Sequence, residues 1–226
     1  MKIDKNKDDL QQLEHLLKEV LALLGDDPSR NGLLTTANYW AKSLLNYTNS
    51  TRRNIHSDVK EIFKFTESNN TDDPHHMVTV CNIEFTSLCE HHLSPFKGVV
   101  HIGYIPNKDN VITNPRVQLT QLVDVHSKQL QLQERMTQEI TRDVEQHLDP
   151  LGALTMIRAK HLCISQRGVE QRSSNTITTA RMGDFITYPK LEEQFYEKIQ
   201  STINTQTSQM QGLVGPPGIE PGTRRL

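Results

Sequence analysis

The sequence predicts an α+β fold in which two strands, two helices and two further strands follow an N-terminal helical region. Leucines at helical spacing come first, and two β-branched runs, MVTVCNIEF and KGVVHIGYI, come after them. A polar, helix-favouring stretch from about residue 114 to 148 predicts two helices. The runs ALTMIRAKHLCIS and SSNTITTARM then return to strand character. The 226 residues suffice for one sizeable core.

The N-terminal region is predicted to contain two helices. Apolar residues recur at helical spacing from about residue 8 to 24, and Gly25 is placed to cap the end of that helix. A second helix is predicted through ANYWAKSLLNY, with Thr35 or Thr36 as its N-cap. The final stretch, GLVGPPGIEPGTRRL, has no apolar periodicity and is predicted to be disordered.

Composition excludes several classes of protein. The formal net charge is -2 and the cations are scattered, so the sequence indicates neither nucleic acid nor an anionic membrane as a partner. The charged start, MKIDKNKDDLQQ, and the lack of a long apolar run predict a cytoplasmic protein. Three cysteines are too few for a disulfide framework, and in a reducing compartment they indicate metal or catalytic use.

The stretch SLCEHHLSPFKG carries half of a predicted metal site. Cys89 and His92 have the spacing at which a thiolate and an imidazole can bind one zinc ion across a tight turn. His161 and Cys163 lie two apart on a predicted strand and so point to one face. Cys163 as third ligand gives a Cys2His set with an open position, which leaves His91 and His161 for proton transfer. The alternative is a closed structural site with His91 or His161 as fourth ligand.

Several separated motifs together resemble one family. SLCEHHLSPFKGVVHIGYIPNK, LQLQERMTQEI, HLCISQRGV and SSNTITTARM resemble GTP cyclohydrolase I in order and spacing, from about residue 10 to 185. The resemblance implies the tunnelling fold, an antiparallel ββααββ unit behind N-terminal helices, and a homodecamer with active sites between subunits. It implies an N-terminal helical region at residues 1–72, a tunnelling-fold catalytic domain at 73–190, and a C-terminal helix with a disordered tail at 191–226.

The resemblance also implies a zinc-dependent reaction. Cys89, His92 and Cys163 would hold the zinc ion, which lowers the pKa of a water molecule so that hydroxide attacks C8 of guanine. The ring opens, formate is released, and rearrangement and closure give 7,8-dihydroneopterin triphosphate, the first step of folate and pterin biosynthesis.

Four residues receive roles in substrate handling from the same resemblance. His91 would protonate the imidazole nitrogen of the purine, and His161 would act as acid or base at the ribose end. Gln133 would help to place the reacting ring. Glu134 would accept hydrogen bonds from guanine N1–H and the exocyclic amine, a contact that adenine cannot reproduce. Standing alone, the stretch from Gln133 to Arg135 would be interpreted as a solvated helix face.

The chain departs from the family pattern at the phosphate end. Serine, lysine and arginine of the family's phosphate motif are replaced by Val117, Gln118 and Gln121, and a further arginine is replaced by Tyr39. Each charge-assisted hydrogen bond contributes roughly 1.5–3 kcal/mol, so these losses predict weaker binding of a triphosphate. The phosphate-side cations that the sequence still offers are Arg167, Lys42 and Arg116.

Arg116 has a specific route into that pocket. Asn114 and Pro115 have the form of an N-cap followed by a first-turn proline, which starts the helix early and places Arg116 at its positive end. The alternative is that Arg116 is a surface residue. Three functions follow: a GTP cyclohydrolase with a modified phosphate pocket, a cyclohydrolase for a less phosphorylated guanine compound, or a catalytically silent oligomer partner.

Three other residues are predicted to be structural. Cys81 is expected to pack within its strand, and His126 and His147 are expected on helix surfaces.

Overall fold

The computed structural model describes residues 5–66, 76–107, 111–165 and 174–213. Within these ranges the helices are α1 (Lys5–Leu23), α2 (Thr36–Tyr47), α3 (Ile55–Ile62), α4 (Pro115–Ser127), α5 (Gln133–Leu148), α6 (Leu162–Ser165), α7 (Asp184–Thr187) and α8 (Pro189–Leu213), with a 3-10 turn at Asn49–Arg52. The strands are β1 (Phe65–Thr66), β2 (Val78–Cys89), β3 (Ser94–Ile105), β4 (Val111–Ile112), β5 (Leu130–Gln131), β6 (Gly152–His161) and β7 (Thr176–Gly183).

Four long strands form the sheet on which the rest of the fold is arranged. The order is β5-β2-β3-β6-β7, in which β2, β3, β6 and β7 are antiparallel neighbours and the short β5 is parallel to β2. The helices α4 and α5 stand between β3 and β6 in the chain, so the predicted ββααββ order is confirmed. The short strands β1 and β4 pair separately.

The helices α4 and α5 cover one face of the sheet, here called the helix face. Alternate residues of β3, from Phe96 to Tyr104, pack against apolar side chains of these helices in the main core. The buried helix residues of that core are Leu119, Leu122, Val123, Val125, Met136, Ile140, Val144 and Leu148. This alternation fixes which side chains point to the helix face and can reach the site at the end of the sheet.

The C-terminal helix packs on the opposite face at one end of the strands. Phe195 of α8 lies so close to Gly103 that a β-carbon there would come within 2.7 Å of its ring. A second core forms around this contact and includes Ile105, Leu154 and Phe185. Cys81 packs against this second core, as predicted. The helix begins at Pro189, two residues before the predicted boundary at residue 191.

The N-terminal helices form a hairpin with a small core of its own, in which Leu17, Ala37 and Ala41 are buried. The predicted cap of α1 is confirmed: Gly25 has a φ of 90°, and its N–H and that of Asp26 bond back into the last turn. Thr35 occupies the N-cap position of α2, but its side chain makes no capping hydrogen bond.

Among the helices that the structure describes, none is long and apolar enough to cross a membrane. The tail predicted to be disordered begins at Gly212, but α8 extends to Leu213, and residues 214–226 lie outside the described residues.

Candidate active site

The hairpin between β2 and β3 brings Cys89 to the end of the sheet. The strands run further than predicted, so the connection is only residues 90–93 rather than 87–95. The N–H groups of His92 and Leu93 bond to the carbonyl oxygen of Cys89, at 3.4 and 2.9 Å, and Leu93 adopts a left-handed φ of 50°. Cys89 is buried, with 4% of its surface exposed. Its thiol is therefore held at a fixed point beneath an exposed turn.

The end of β6 supplies the second half of the site by a route that the sequence did not predict. His161 is the last residue of β6, but Cys163 lies in the single-turn helix α6 and not on the strand. The expectation that strand alternation points both side chains to one face is therefore wrong. The chain turns helical directly after His161, and this turn brings Cys163 back towards Cys89.

Cys89, His161 and Cys163 each offer a ligand atom within 4.8 Å of the other two. Two thiols and an imidazole are a donor set that suits zinc, since soft thiolate and borderline imidazole favour that ion. His92, which the sequence predicted as a ligand, is exposed on the turn and does not belong to this group. Cys89, His161 and Cys163 could therefore hold a metal ion together, and His92 as a ligand stays a prediction.

Gln133 orients His161 through a buried network. Its side-chain nitrogen donates to the carbonyl oxygens of Ile157 and Thr176 and to the hydroxyl of Thr178, each at 3.1 Å. The amide oxygen therefore faces Nε2 of His161 at 2.8 Å, and because it can only accept, that nitrogen must carry a hydrogen. A neutral His161 then keeps a lone pair on Nδ1 for a metal ion or a proton.

The surroundings of His161 favour its neutral form. Burial lowers the pKa of His161, and the negative charge of Glu134 opposes this only in part. The ring is also stacked on Phe96, with centroids 4.6 Å apart and planes within 5°. Glu134 itself is exposed at the start of α5, next to the buried Gln133. At the start of α5, Gln133 is therefore buried in a hydrogen-bond network and Glu134 is exposed, so the stretch is not a fully solvated helix face.

The exposed turn is tied to α5 by an ion pair. Arg135 contacts Glu90 at 2.7 Å and also donates to the carbonyl oxygen of Leu130 and the side chain of Gln131. His91 and His92 stand beside this pair, both exposed, with ring centroids 6.1 Å apart. The histidine pair thus projects from an anchored turn at the mouth of the candidate site.

The predicted phosphate residues at α4 separate into two kinds. The start of the helix is confirmed: Asn114 accepts a hydrogen bond from the N–H of Val117, and Pro115 is the first helical residue. Arg116, Val117 and Gln121 are exposed. Gln118 is buried and holds the backbone of Lys64, accepting from its N–H at 3.1 Å and donating to its carbonyl at 3.3 Å. Gln118 is therefore a structural residue that faces inward.

The other two cations predicted to bind the phosphates are Lys42 and Arg167. Neither makes a described contact with Cys89 or Cys163. Lys42 lies on α2 with its ammonium 5.9 Å from the ring centre of Tyr39, within the N-terminal hairpin. Arg167 lies outside the described residues.

The prediction of a surface position for His126 is wrong. The side chain is buried between α4 and α5, with Nε2 2.6 Å from Asp143 and Nδ1 3.4 Å from Glu139. Burial alone would lower the pKa of His126, but the two carboxylates outweigh it and raise the pKa above its usual value. The spacing of Glu139 and Asp143 on one face of α5 was the signal available in the sequence.

Comparison with known proteins places the chain in a family. The model of the family described as GTP cyclohydrolase I matches residues 13–200. A protein named GTP cyclohydrolase 1 from Leptospira biflexa is 40% identical over 190 residues, which are 84% of this chain and 98% of the relative. The relative of the same name from Saccharomyces cerevisiae is 38% identical, covering 84% of this chain and 75% of its own. The relative of the same name from Dictyostelium discoideum is 34% identical, and the match covers 87% of this chain and 81% of the relative.

Among solved structures, an archaeosine synthase QueF-Like in the apo form covers 50% of this chain and 97% of its own, with 14% identity and a TM-score of 0.39. That likeness is too low to bear on the fold. The ββααββ order, the helix-covered antiparallel sheet and the family match over most of the chain agree with one another. The fold is the tunnelling fold, and the chain belongs to the GTP cyclohydrolase I family.

Proposed function

We propose that the protein is a zinc-dependent GTP cyclohydrolase I, which opens the imidazole ring of GTP, releases formate and forms 7,8-dihydroneopterin triphosphate. The observation that carries the proposal is the grouping of Cys89 and Cys163 with a histidine that Gln133 orients. These side chains come from the ends of β2 and β6 and from the starts of α5 and α6.

Zinc, when bound, supplies Lewis acidity and a nucleophile at neutral pH. The chain's own groups do the rest. Gln133 places His161, whose neutral imidazole is suited to accept or donate a proton at the ribose end. His91, exposed at the mouth, serves the imidazole nitrogen of the purine. Glu134, a carboxylate with open surface around it, accepts from guanine N1–H and the exocyclic amine.

The third zinc ligand has two candidates. The resemblance assigns it to His92, three residues after Cys89, and we keep this assignment in the proposal, with His161 reserved for proton transfer. The structure instead groups His161 with the two cysteines. The two assignments predict opposite zinc contents for variants of the two histidines, which makes them separable.

We further propose that the protein assembles into a ring, expected to be a homodecamer, with the active sites between subunits. The sheet supports this, because two of its long strands, β2 and β7, each have an edge that is mostly open among the described strands. Among the described strands, β5 covers only Leu88 and Cys89 of β2, and nothing pairs with the outer edge of β7. Open edges of this length are templates for pairing with another copy.

The proposed function also includes a cytoplasmic location and a role in folate or pterin synthesis.

A second candidate function is favoured by Gln118. A family phosphate contact is replaced by a buried, uncharged side chain whose amide is bonded to the backbone of Lys64. The exposed Arg116 is the cation left at the start of α4. A guanine compound with fewer phosphates needs fewer such contacts.

The third candidate, a catalytically silent partner of active subunits, requires only that the fold and the open sheet edges are kept.

The experiment is to measure zinc content and formate release with GTP for the wild type, Cys163→Ser and Cys81→Ser. Cys81 is the matched control because it packs against the second core, away from the candidate ligands. We expect one zinc per chain and turnover for the wild type and Cys81→Ser, and loss of both for Cys163→Ser. Equal zinc content and turnover in all three proteins would contradict the proposed site.

A further inference from the structure

The sheet face opposite α4 and α5 is covered along only part of its length. At one end α7 and α8 bury Ile105 and Leu154 beneath Phe195. At the other end the same face carries three cations, Lys97, Arg158 and Lys160, here called the basic face. Lys97 and Arg158 are exposed and Lys160 is half-buried.

The strand register brings these cations together. Lys97 of β3 lies directly opposite Lys160 of β6, and Arg158 is opposite Val99, which makes Arg158 the diagonal neighbour of Lys97. Directly opposed residues of antiparallel strands have β-carbons about 4.5–5.5 Å apart, and like charges in that position destabilise the pair. Two opposed lysines therefore do not stabilise the sheet, and neutral residues would suit these two positions better.

Carboxylates do not neutralise this arrangement. Within the part of the chain that the structure describes, no ion pair within 4.0 Å joins a carboxylate to Lys97, Arg158 or Lys160. Asp124, which lines the same surface, is already 4.0 Å from Lys128. Glu84 of β2 remains: it is paired with Val99 from one side of β3, as Arg158 is from the other, so the two side chains lie on the same face of the sheet two strands apart. One free carboxylate thus faces three cations.

These side chains line a concavity of about 670 Å³. Thr86 also lines it, whereas the hydroxyls of Thr120 and Ser127, in the same wall, already donate to the carbonyl oxygens of Arg116 and Asp124. A planar guanidinium group close to two ammonium groups is the chemistry that recognises phosphate oxygens. The volume accommodates a small molecule and falls within the size range of ordinary ligand sites.

The concavity is separate from the candidate metal site. Phe96 and His161 are the chain neighbours of Lys97 and Lys160, and they stack on the helix face. Since successive residues of a strand point to opposite faces, the lysine pair points away from the cysteines. A ligand here would lie behind the site and not in it.

We propose that this concavity binds a small anion with two or more adjoining phosphate groups, held by Lys97, Arg158 and Lys160. The anion supplies the negative charge that the lysine pair lacks, and a chain of phosphates can contact all three cations at once. This inference does not depend on the proposed catalytic function.

The test is calorimetric titration of the full-length protein with inorganic triphosphate, together with the unfolding midpoint in its presence and absence. The variant Lys97→Glu converts the repulsive pair with Lys160 into an attractive one. We expect it to unfold at a higher temperature than the wild type without triphosphate, and to bind triphosphate at least about tenfold more weakly. Loss of binding then cannot be attributed to misfolding.

Two controls accompany the test. Lys190→Glu makes the same change of charge at an exposed position on α8 outside the concavity, and its affinity should equal that of the wild type. Cys163→Ser removes a candidate metal ligand, so binding that persists in it is not chelation of a bound metal by triphosphate. The proposal is overturned if the wild type does not bind, if Lys97→Glu binds as Lys190→Glu does, or if Cys163→Ser abolishes binding.

Discussion

The side-chain oxygen of Gln133 lies 2.8 Å from Nε2 of His161. Because the amide nitrogen of Gln133 is used on two backbone carbonyls and a hydroxyl, this oxygen fixes the tautomer of the histidine. The contact links the start of α5 to the end of β6, the two elements on which the proposed chemistry depends.

Gln133→Ala tests this contact. We expect the free energy of unfolding to fall by about 2–4 kcal/mol, since several buried hydrogen bonds are lost and two carbonyls are left without this donor. Formate release should fall further than stability explains, while zinc content stays the same. The matched control is Gln146→Ala, an exposed glutamine on the same helix, which should be neutral in urea unfolding and in turnover. Unchanged turnover in a folded Gln133→Ala protein would show that orientation of His161 is not needed.

The identity of the third zinc ligand follows from two alanine variants. If His92 is the ligand, His92→Ala loses zinc by elemental analysis, and His161→Ala keeps zinc but loses turnover. His147→Ala is the control, because His147 is also stacked on a phenylalanine, Phe63, with centroids 5.7 Å apart. Full zinc content in His92→Ala together with its loss in His161→Ala would transfer the ligand role to His161.

Stability should depend on pH through His126. Its pKa is raised above the ordinary 6.5, so its charged form stabilises the fold below that pH, and this contribution is lost as pH rises through the higher folded value. We expect His126→Gln to be less stable by about 1–3 kcal/mol at pH 6, with the gap narrowing as pH increases above about 6.5. His15→Gln, on an exposed residue of α1, should show no such gap. Parallel stability curves for wild type and His126→Gln from pH 5 to 9 would contradict the proposed linkage.

Gln118 should tolerate a cation poorly. Gln118→Lys restores the charge of the family pattern, but it places an ammonium at a buried position and removes both bonds to Lys64. We expect the free energy of unfolding to fall by more than about 1 kcal/mol, and we expect the KM for GTP not to decrease. Gln121→Lys, at an exposed position one turn further on, should leave stability unchanged. A stable Gln118→Lys protein with a lower KM would show that position 118 faces the substrate.

The sequence predicted the parts of the fold that depend on local patterns. The β-branched runs predicted β2 and β3, and Asn114 followed by Pro115 predicted the start of α4, because strand propensity and capping are read from neighbouring residues. Cys163 was misplaced because the end of a strand depends on pairing: β6 follows β3 only as far as His161 opposite Phe96. The pattern of HLCIS contains no sign of that limit.

The sequence predicted which cysteines belong to the candidate site better than it predicted how the site is arranged. Both cysteines are where the metal hypothesis requires them, near each other and partly or wholly buried. The burial of His126 and Gln118 was not predicted, because each faces a partner supplied by another segment, Asp143 in one case and Lys64 in the other. Polar residues on a helix are assigned to solvent by default, and only packing reveals the partner.

Formate release from zinc-loaded protein given GTP, GDP, GMP and guanosine separately shows whether this chain opens the imidazole ring of GTP. Parallel detection of oxidised pterin fluorescence identifies the product. We expect turnover to be strongest with GTP. Stronger turnover with GDP, GMP or guanosine would mean that the less phosphorylated compound is the substrate. If zinc is bound and none of the four compounds yields formate, the chain is not a GTP cyclohydrolase.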